Sequence, residues 1–372
     1  MESFISFPWA TDKLVKVFMA MAFLFVSSSA GNFSQDVDVT WGGPRARIEN
    51  AGQSLSLSLD NTSGSGFESI NSYLYARFDM QIKLVPGNSA GTVTTFFLTS
   101  QGPAHDEVDF EFLGNSSGQP YTVHTNVYMQ GVGGREQQFR LWFDPTAAFH
   151  NYTILWNPHR IMYLVDNVPI RVFNNYSTYG VPYPSSQPMK MQCSLWNADD
   201  WATQGGRVKT NWTQGPFTAT YRNMNINGCV VSGSWNSCNN GSVSISNQTW
   251  QTQGLDTKGR KLIRWVQDNF MIYNYCSDAK RFPKGRPKEC RHPRSPTVSS
   301  RAAYTSRWGP ESSSRVLPTY PCKICPLEMY KKVVKSQISS TCPFESAATI
   351  EVVINLMYLL LSMLAFSLQI PN

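Results

Sequence analysis

The chain has 372 residues, of which 41% are hydrophobic, 13% aromatic and only 15% charged, with a formal net charge of +7. That composition excludes disorder over most of the length, which needs low hydrophobicity and high charge, and it argues against a coiled coil. The charge is uneven: residues 31–290 carry 21 basic and 19 acidic side chains and residues 291–372 nine and four, so no nucleic-acid partner is implied for the body.

At the N-terminus, Val17–Ala30 (VFMAMAFLFVSSSA) follows Lys13 and Lys16 and ends in small residues. This is the layout of a secretory signal, so residues 1–30 are expected to direct export. Eight N-x-S/T sequons agree with that route: Asn32, Asn61, Asn115, Asn151, Asn175, Asn211, Asn240 and Asn247. From Val37 to about Tyr221 the chain reads as short strands broken by turns, with Leu55–Leu59 and Ser72–Leu84 as examples. Gly87-Asn88, Gly131–Gly134 and Gly205-Gly206 punctuate them. No long amphipathic run precedes Lys258, which points to an all-β sandwich or jelly roll. A helix is expected from Lys258 to about Asn269, with Leu262, Trp265, Val266 and Asn269 at helical spacing.

Eight cysteines in an oxidising compartment suggest disulfides. The neighbours Cys229–Cys238 and Cys276–Cys290 would close short loops, although sequence alone does not fix the pairing. Cys193, in the apolar MQCSLW, reads as a buried free thiol. In the tail, Cys322 and Cys325 have half of a zinc-site spacing without a second half nearby, so no metal is expected there. Residues 291–348 read as a linker, rich in Ser, Arg and Pro from Pro293 to Pro318. Residues 349–372 contain the uncharged run Val352–Ile370. Three readings of it stand: a marginal membrane span, a lipid-anchor signal with Ser339-Ser340 as its small-residue site, or a read-through product.

The chemistry lies in His105–Asn115, HDEVDFEFLGN. Side chains alternate in a strand, so Glu107, Asp109 and Glu111 share one face while Val108, Phe110 and Phe112 face the core. Three carboxylates in a row repel one another and push at least one pKa upward. A glycosidase needs that, with one carboxylate as nucleophile and one carboxylic acid for the leaving oxygen. At about 3.3 Å per residue the Cα atoms of Glu107 and Glu111 are ~13 Å apart, so both side chains must lean inward across a concave face. A solvated acidic strand and a calcium site are the competing readings.

HDEVDFEFLGN resembles the active-site strand of the xyloglucan endotransglucosylase/hydrolases, plant cell-wall enzymes in family 16 of the glycoside hydrolases. HTNVY (His124–Tyr128), REQQF (Arg135–Phe139), LWFDPT (Leu141–Thr146), ILWNP (Ile154–Pro158), SLWNADDWAT (Ser194–Thr203) and YNYCSDAKRFP (Tyr273–Pro283) with Cys290 match as well. The resemblance covers about residues 33–290. It implies a concave β-jelly-roll sandwich over 31–222 and, over 223–290, a short C-terminal extension that holds the helix and the disulfides. It implies Glu107 as nucleophile, Glu111 as acid/base, Asp109 as assisting carboxylate and Asn115 as a glycosylation site. Glycan contacts map to Glu111, His124, Thr125, Asn126, Arg135, Glu136, Asp200, Trp201, Gly205 and Arg281. Gly134 departs from the Asp or Asn usual before Arg-Glu, and Cys193 from a non-cysteine position.

The residues themselves agree with a neutral polysaccharide, which calls for hydrogen-bonding groups and aromatic faces rather than cations. Trp201, beside two Asp in a Gly-bounded loop, reads as cleft and Trp196 as core; Arg135-Glu136, taken alone, reads as a plain surface pair. The expected activity is retaining cleavage of the xyloglucan backbone and religation onto a xyloglucan polymer or oligosaccharide, by a secreted cell-wall monomer that needs no cofactor. A xyloglucan hydrolase and a non-catalytic carbohydrate-binding jelly roll are the alternatives.

Overall fold

The computed structural model describes residues 31–231 and 249–291. The expected signal, the linker and apolar tail beyond Arg291, Cys238, Cys322, Cys325, Cys342, Asn240 and Asn247 lie outside the described residues.

The described strands form two antiparallel sheets. The first runs β1 (Val37–Trp41), β4 (Ser65–Ser69), β13 (Lys190–Asn197), β6 (Thr92–Thr99), β7 (Glu107–Leu113), β8 (Thr122–Tyr128), β9 (Gln137–Phe139) and β15 (Met271–Asn274). The second runs β12 (Val168–Asn174), β11 (Arg160–Val165), β10 (His150–Asn157), β5 (Tyr73–Lys83), β14 (Phe217–Val230), β3 (Ser54–Leu59) and β2 (Ala46–Glu49). The expected strands at 55–59 and 72–84 are β3 and β5. β14 continues past residue 222 with a bulge between Arg222 and Asn225, so the second sheet continues into the segment assigned to the extension.

The core lies between the sheets, where alternation places one face of each strand. Val108, Phe110 and Phe112 of β7 are fully buried there. The Phe110 ring meets Tyr163 edge-on at 5.1 Å and Phe112 meets Tyr152 at 4.6 Å, contacts that add to the ~2–3 kcal/mol each ring gains on burial. Cys193, on β13, is a buried free thiol of this core.

Besides single 3-10 turns, the described residues hold three α-helices: α1 (Phe33–Asp36), α2 (Thr257–Asn269) and α3 (Lys288–Arg291). The Asp256 side chain caps α2 by accepting from the Gly259 amide. Gly259, Ile263 and Val266 form its buried stripe, and the helix packs on β12. The expected stripe is offset from this one: Val266 belongs to both, Leu262 and Trp265 flank the contact, and Asn269 is exposed. Trp265 instead packs its ring on Trp142 and Phe270, at 5.4 and 4.8 Å. Cys276–Cys290 is a disulfide with Cα atoms 5.4 Å apart; Cys229 is also disulfide-bonded.

Candidate active site

β7 occupies the middle of the first sheet, paired to β6 on one side and β8 on the other. The registers set what surrounds each carboxyl group. Glu107 lies opposite Thr99 and Tyr128, Asp109 opposite Phe97 and Asn126, and Glu111 opposite Thr95 and His124. No lysine or arginine stands on those adjoining positions; the charge of Arg171, from the second sheet, works to lower Asp109 but is outweighed. The first cation on this face, Lys190 opposite Thr99 on β13, is held by Glu68.

The three groups differ by environment. Asp109 is only 3% exposed, which rules out a solvated acidic strand. Burial, followed by the charges of Glu107 and Glu111, raises its pKa well above the usual carboxylate range. That shift favours the protonated form of Asp109, which can then donate to Glu107. The other oxygen, Oδ2, has no hydrogen-bond partner among the described residues. Glu111 is pushed up to about 7 by burial first, then by the charges of Glu107 and Glu136. Glu107 has the His105 Nε2 at 3.9 Å from its Oε2. The arrangement offers an acid near neutrality, an adjacent carboxyl group and a neutral bridge between them, which is the equipment for glycoside chemistry. Among the described residues no group of three or more His, Cys, Asp or Glu is placed to hold a metal ion.

Beyond β8 several segments meet on the carboxyl face. Burial lowers His124 to about 4, keeping the imidazole neutral. The Gln138 amide lies 3.0 Å from its Nδ1; with that nitrogen accepting, the ring proton is on Nε2. Asn126 uses Oδ1 to accept from the Val127 and Arg135 amides, both at 2.9 Å. Arg135 and Glu136 do not form a surface pair. Successive residues point to opposite sides, so Arg135 Nε reaches Glu289 at 2.9 Å while Glu136 takes Arg281. Burial works to raise the Glu136 carboxyl, but the hydrogen bonds and charge of Arg281 outweigh it and hold it below the usual range. Gly134, at φ +83°, leaves room for Arg281: a Cβ there would lie 3.1 Å from Nη2. Thr125 faces the other way, into the sandwich, where its hydroxyl donates to the Gln137 carbonyl at 3.0 Å.

The loop after β13 supplies the aromatic wall. Ala198 packs on Val93 and Leu113, the Ala198 amide donates to the Gly91 carbonyl at 2.8 Å, and Thr203 Oγ1 bridges the Gly91 amide and the Gly114 carbonyl at 2.7 and 2.9 Å. On this footing Trp201 stands exposed, 6.2 Å from the Trp196 ring and 6.5 Å from His124. Trp196 is not in the core between the sheets. It pairs with Val93 in the register that puts Glu111 opposite Thr95, so it shares the carboxyl face, half-buried beneath Trp201. Asp200 and Gly205 are exposed in the same loop. On the other side of β7, a recess of about 540 Å³ is lined by Thr99, Ser100, Gln101, Gln187, Lys190 and Gln192, among others. Asn115 follows the strand, its Nδ2 donating to the Pro120 carbonyl at 3.1 Å.

Sequence reasoning missed Gln138, Glu289, Tyr163 and Arg171. For Arg171 a signal existed: a lone charge in the apolar run VPIRVF.

Comparison with known proteins adds the following. Residues 33–214 match the family model for glycosyl hydrolases family 16, and residues 244–290 match that for the xyloglucan endo-transglycosylase (XET) C-terminus. The chain is 61% identical over 270 residues to xyloglucan endotransglucosylase protein 1 of Diospyros kaki, covering 73% of this chain and 91% of that protein. It is 57% identical over 282 residues to xyloglucan endotransglucosylase/hydrolase protein 22 of Arabidopsis thaliana, covering 76% and 99%. With xyloglucan endotransglucosylase/hydrolase 2 of Glycine max the identity is 59% over 266 residues, covering 72% and 91%.

Proposed function

The chain belongs to the xyloglucan endotransglucosylase/hydrolases of glycosyl hydrolase family 16, and from that membership we propose how it cuts the β-1,4-glucan backbone of xyloglucan and rejoins the cut chain to a second xyloglucan. Glu107 attacks the anomeric carbon as Glu111 gives its proton to the departing glycosidic oxygen, leaving a glycosyl ester on Glu107. The acceptor hydroxyl then attacks the same carbon and passes its proton to Glu111. The ester bond breaks and the Glu107 carboxylate is restored. Two inversions amount to retention. Asp109, in its protonated form, donates to Glu107 and holds the nucleophile in place without adding a second charge.

The observation that carries this reading is the unlike fate of three adjacent carboxyl groups: a buried neutral Asp109 beside Glu111 poised at about 7. A binding module has no use for that repulsion. Trp201 and half-buried Trp196 present apolar faces to sugar rings, while His124, Asn126, Asp200, the Glu136–Arg281 pair and the polar recess beyond Thr99 suit hydroxyl groups. Arg135 and Thr125 support the His124–Glu136 arm from behind, and Gly205 lies at the rim. Export to the cell wall is supported by the signal-like segment Val17–Ala30 and by the Cys276–Cys290 disulfide, which persists in an oxidising compartment. Asn115 is the favoured glycan site.

The test is incubation with xyloglucan, with and without a labelled xyloglucan oligosaccharide. The expected result is label incorporated into polymer, with redistribution of chain length. Shortening without incorporation would mean a hydrolase, and binding without either change a lectin-like module.

A further inference from the structure

Arg171 lies on β12, opposite Tyr163 of β11, and is only 2% exposed. None of the ion pairs among the described residues includes it. A buried cation without a counter-ion is costly to keep unless its donors find acceptors. Here the guanidinium crosses the sandwich and places three of its five N–H donors on the first sheet's β8 and the segment before β9. Nη1 donates to the carbonyl and to the hydroxyl of Thr125, each at 2.8 Å, and Nη2 to the carbonyl of Arg135 at 2.6 Å. The guanidinium carbon is 5.4 Å from the Tyr163 ring centre, and the Tyr163 hydroxyl donates to the Asn126 carbonyl at 2.6 Å.

The place of these bonds explains the need for them. The ladder between β8 and β9 ends at Thr125 and Gln137. β8 continues to Tyr128 without β9 beside it, while the chain before Gln137 turns away. Carbonyls at such a divergence would be buried and unpaired. Arg171 and Tyr163 donate to the carbonyls of residues 125, 126 and 135, one of the first two lying on the β8 edge that β9 leaves and the other facing β7, and Asn126 Oδ1 takes the Arg135 amide. The same stretch presents His124, Asn126 and Glu136 to the cleft, and Glu136 in turn holds Arg281.

We propose that Arg171, with Tyr163 beside it, is a positioning residue that fixes the His124–Glu136 arm of the saccharide cleft in its binding shape from the far side of the sandwich. The assignment of that arm to saccharide rests on the function proposed above; the bracing itself does not. Lysine keeps the charge but lacks a planar fork able to reach two separate segments, so Arg171→Lys and Arg171→Met both lose the brace. Tyr163→Phe removes one bond and keeps the ring.

Two measurements test it. In hydrogen exchange, amides of residues 125–127 and 133–136 should exchange about tenfold or more faster in both Arg171 variants, with β3, β5 and β14 unchanged. In kinetics, the KM for xyloglucan should rise about tenfold while kcat at saturation stays within about threefold, with Tyr163→Phe between these and the parent. If Arg171→Met does not fold, Arg171→Lys and Tyr163→Phe carry the test. Parental exchange rates in the arm, or a fall in kcat with KM unchanged, would overturn the proposal. If the parent protein neither binds nor cuts xyloglucan, the functional reading fails instead, and the exchange result alone decides the brace.

Discussion

Glu111 sits where burial, the Glu107 charge and the Glu136 charge all favour its protonated form, at a pKa of about 7. As the general acid it must hold that proton, so turnover is expected to fall as pH rises through about 7. Glu111→Gln should lower the rate by about 10²–10⁴-fold and abolish that limb of the pH profile. The same shift has a sign for stability. A folded-state pKa above the unfolded value of 4.5 means stability that is full below about 4.5 and is lost as pH rises through about 7. Glu111→Gln should therefore melt higher than the parent at pH 8, by roughly 2–3 kcal/mol in unfolding free energy, and show no such gain at pH 4. The carboxyl triplet was legible because strand alternation alone puts residues 107, 109 and 111 on one face. What burial does to Asp109 and His124 was not, because it depends on strands that pair from far along the chain. Arg135 and Glu136 read as a surface pair for the same reason: their partners, Glu289 and Arg281, lie about 150 residues away.

At the scale of elements, β7 is held by the inward half of its own alternation. Phe110→Ala should cost about 3–5 kcal/mol in denaturant unfolding, since the site between Tyr152, Tyr163 and Phe96 has no small way to close. The Trp201 loop gives a sharper contrast between two glycines. Both lie at positive φ, Gly205 at +66° and Gly206 at +81°, but a Cβ on Gly206 would also meet the Asp200 carbonyl at 1.9 Å, whereas one on Gly205 meets nothing within 4 Å. Gly206→Ala is expected to displace Trp201 and weaken oligosaccharide binding about tenfold by calorimetry, a larger loss than Gly205→Ala causes. The sequence marked this loop by its Gly-Gly punctuation and placed α2 within a residue of its start. It could not tell which of the two glycines lacks room for a side chain, nor which side of α2 faces inward, because the second is set by packing on β12. Trp196 was misplaced in the core because an apolar strand segment does not reveal which of its faces another sheet covers.

For the molecule as a whole, the extension is bonded to the segment beside the carboxyl face rather than hanging free as an appendage. Its Cys276–Cys290 disulfide adjoins Glu289, which holds Arg135, and its Arg281 holds Glu136. Cys276→Ser is expected to lower the unfolding free energy by about 3 kcal/mol, the entropy of a loop of this length, and to raise the KM for xyloglucan in the same variant. The near-neutral charge of residues 31–290 fits a neutral polymer, and the surplus basic residues lie after Cys290. The central claim is a covalent intermediate on one carboxylate. It is tested most directly by acid-quenching the protein during reaction with a xyloglucan oligosaccharide donor, without acceptor, and mapping the peptides by mass spectrometry. The account expects the donor's glycosyl mass on the peptide holding Glu107, absent in Glu107→Ala and discharged by added acceptor. A glycosyl group on another residue, or none while products of inverted configuration accumulate, would contradict it.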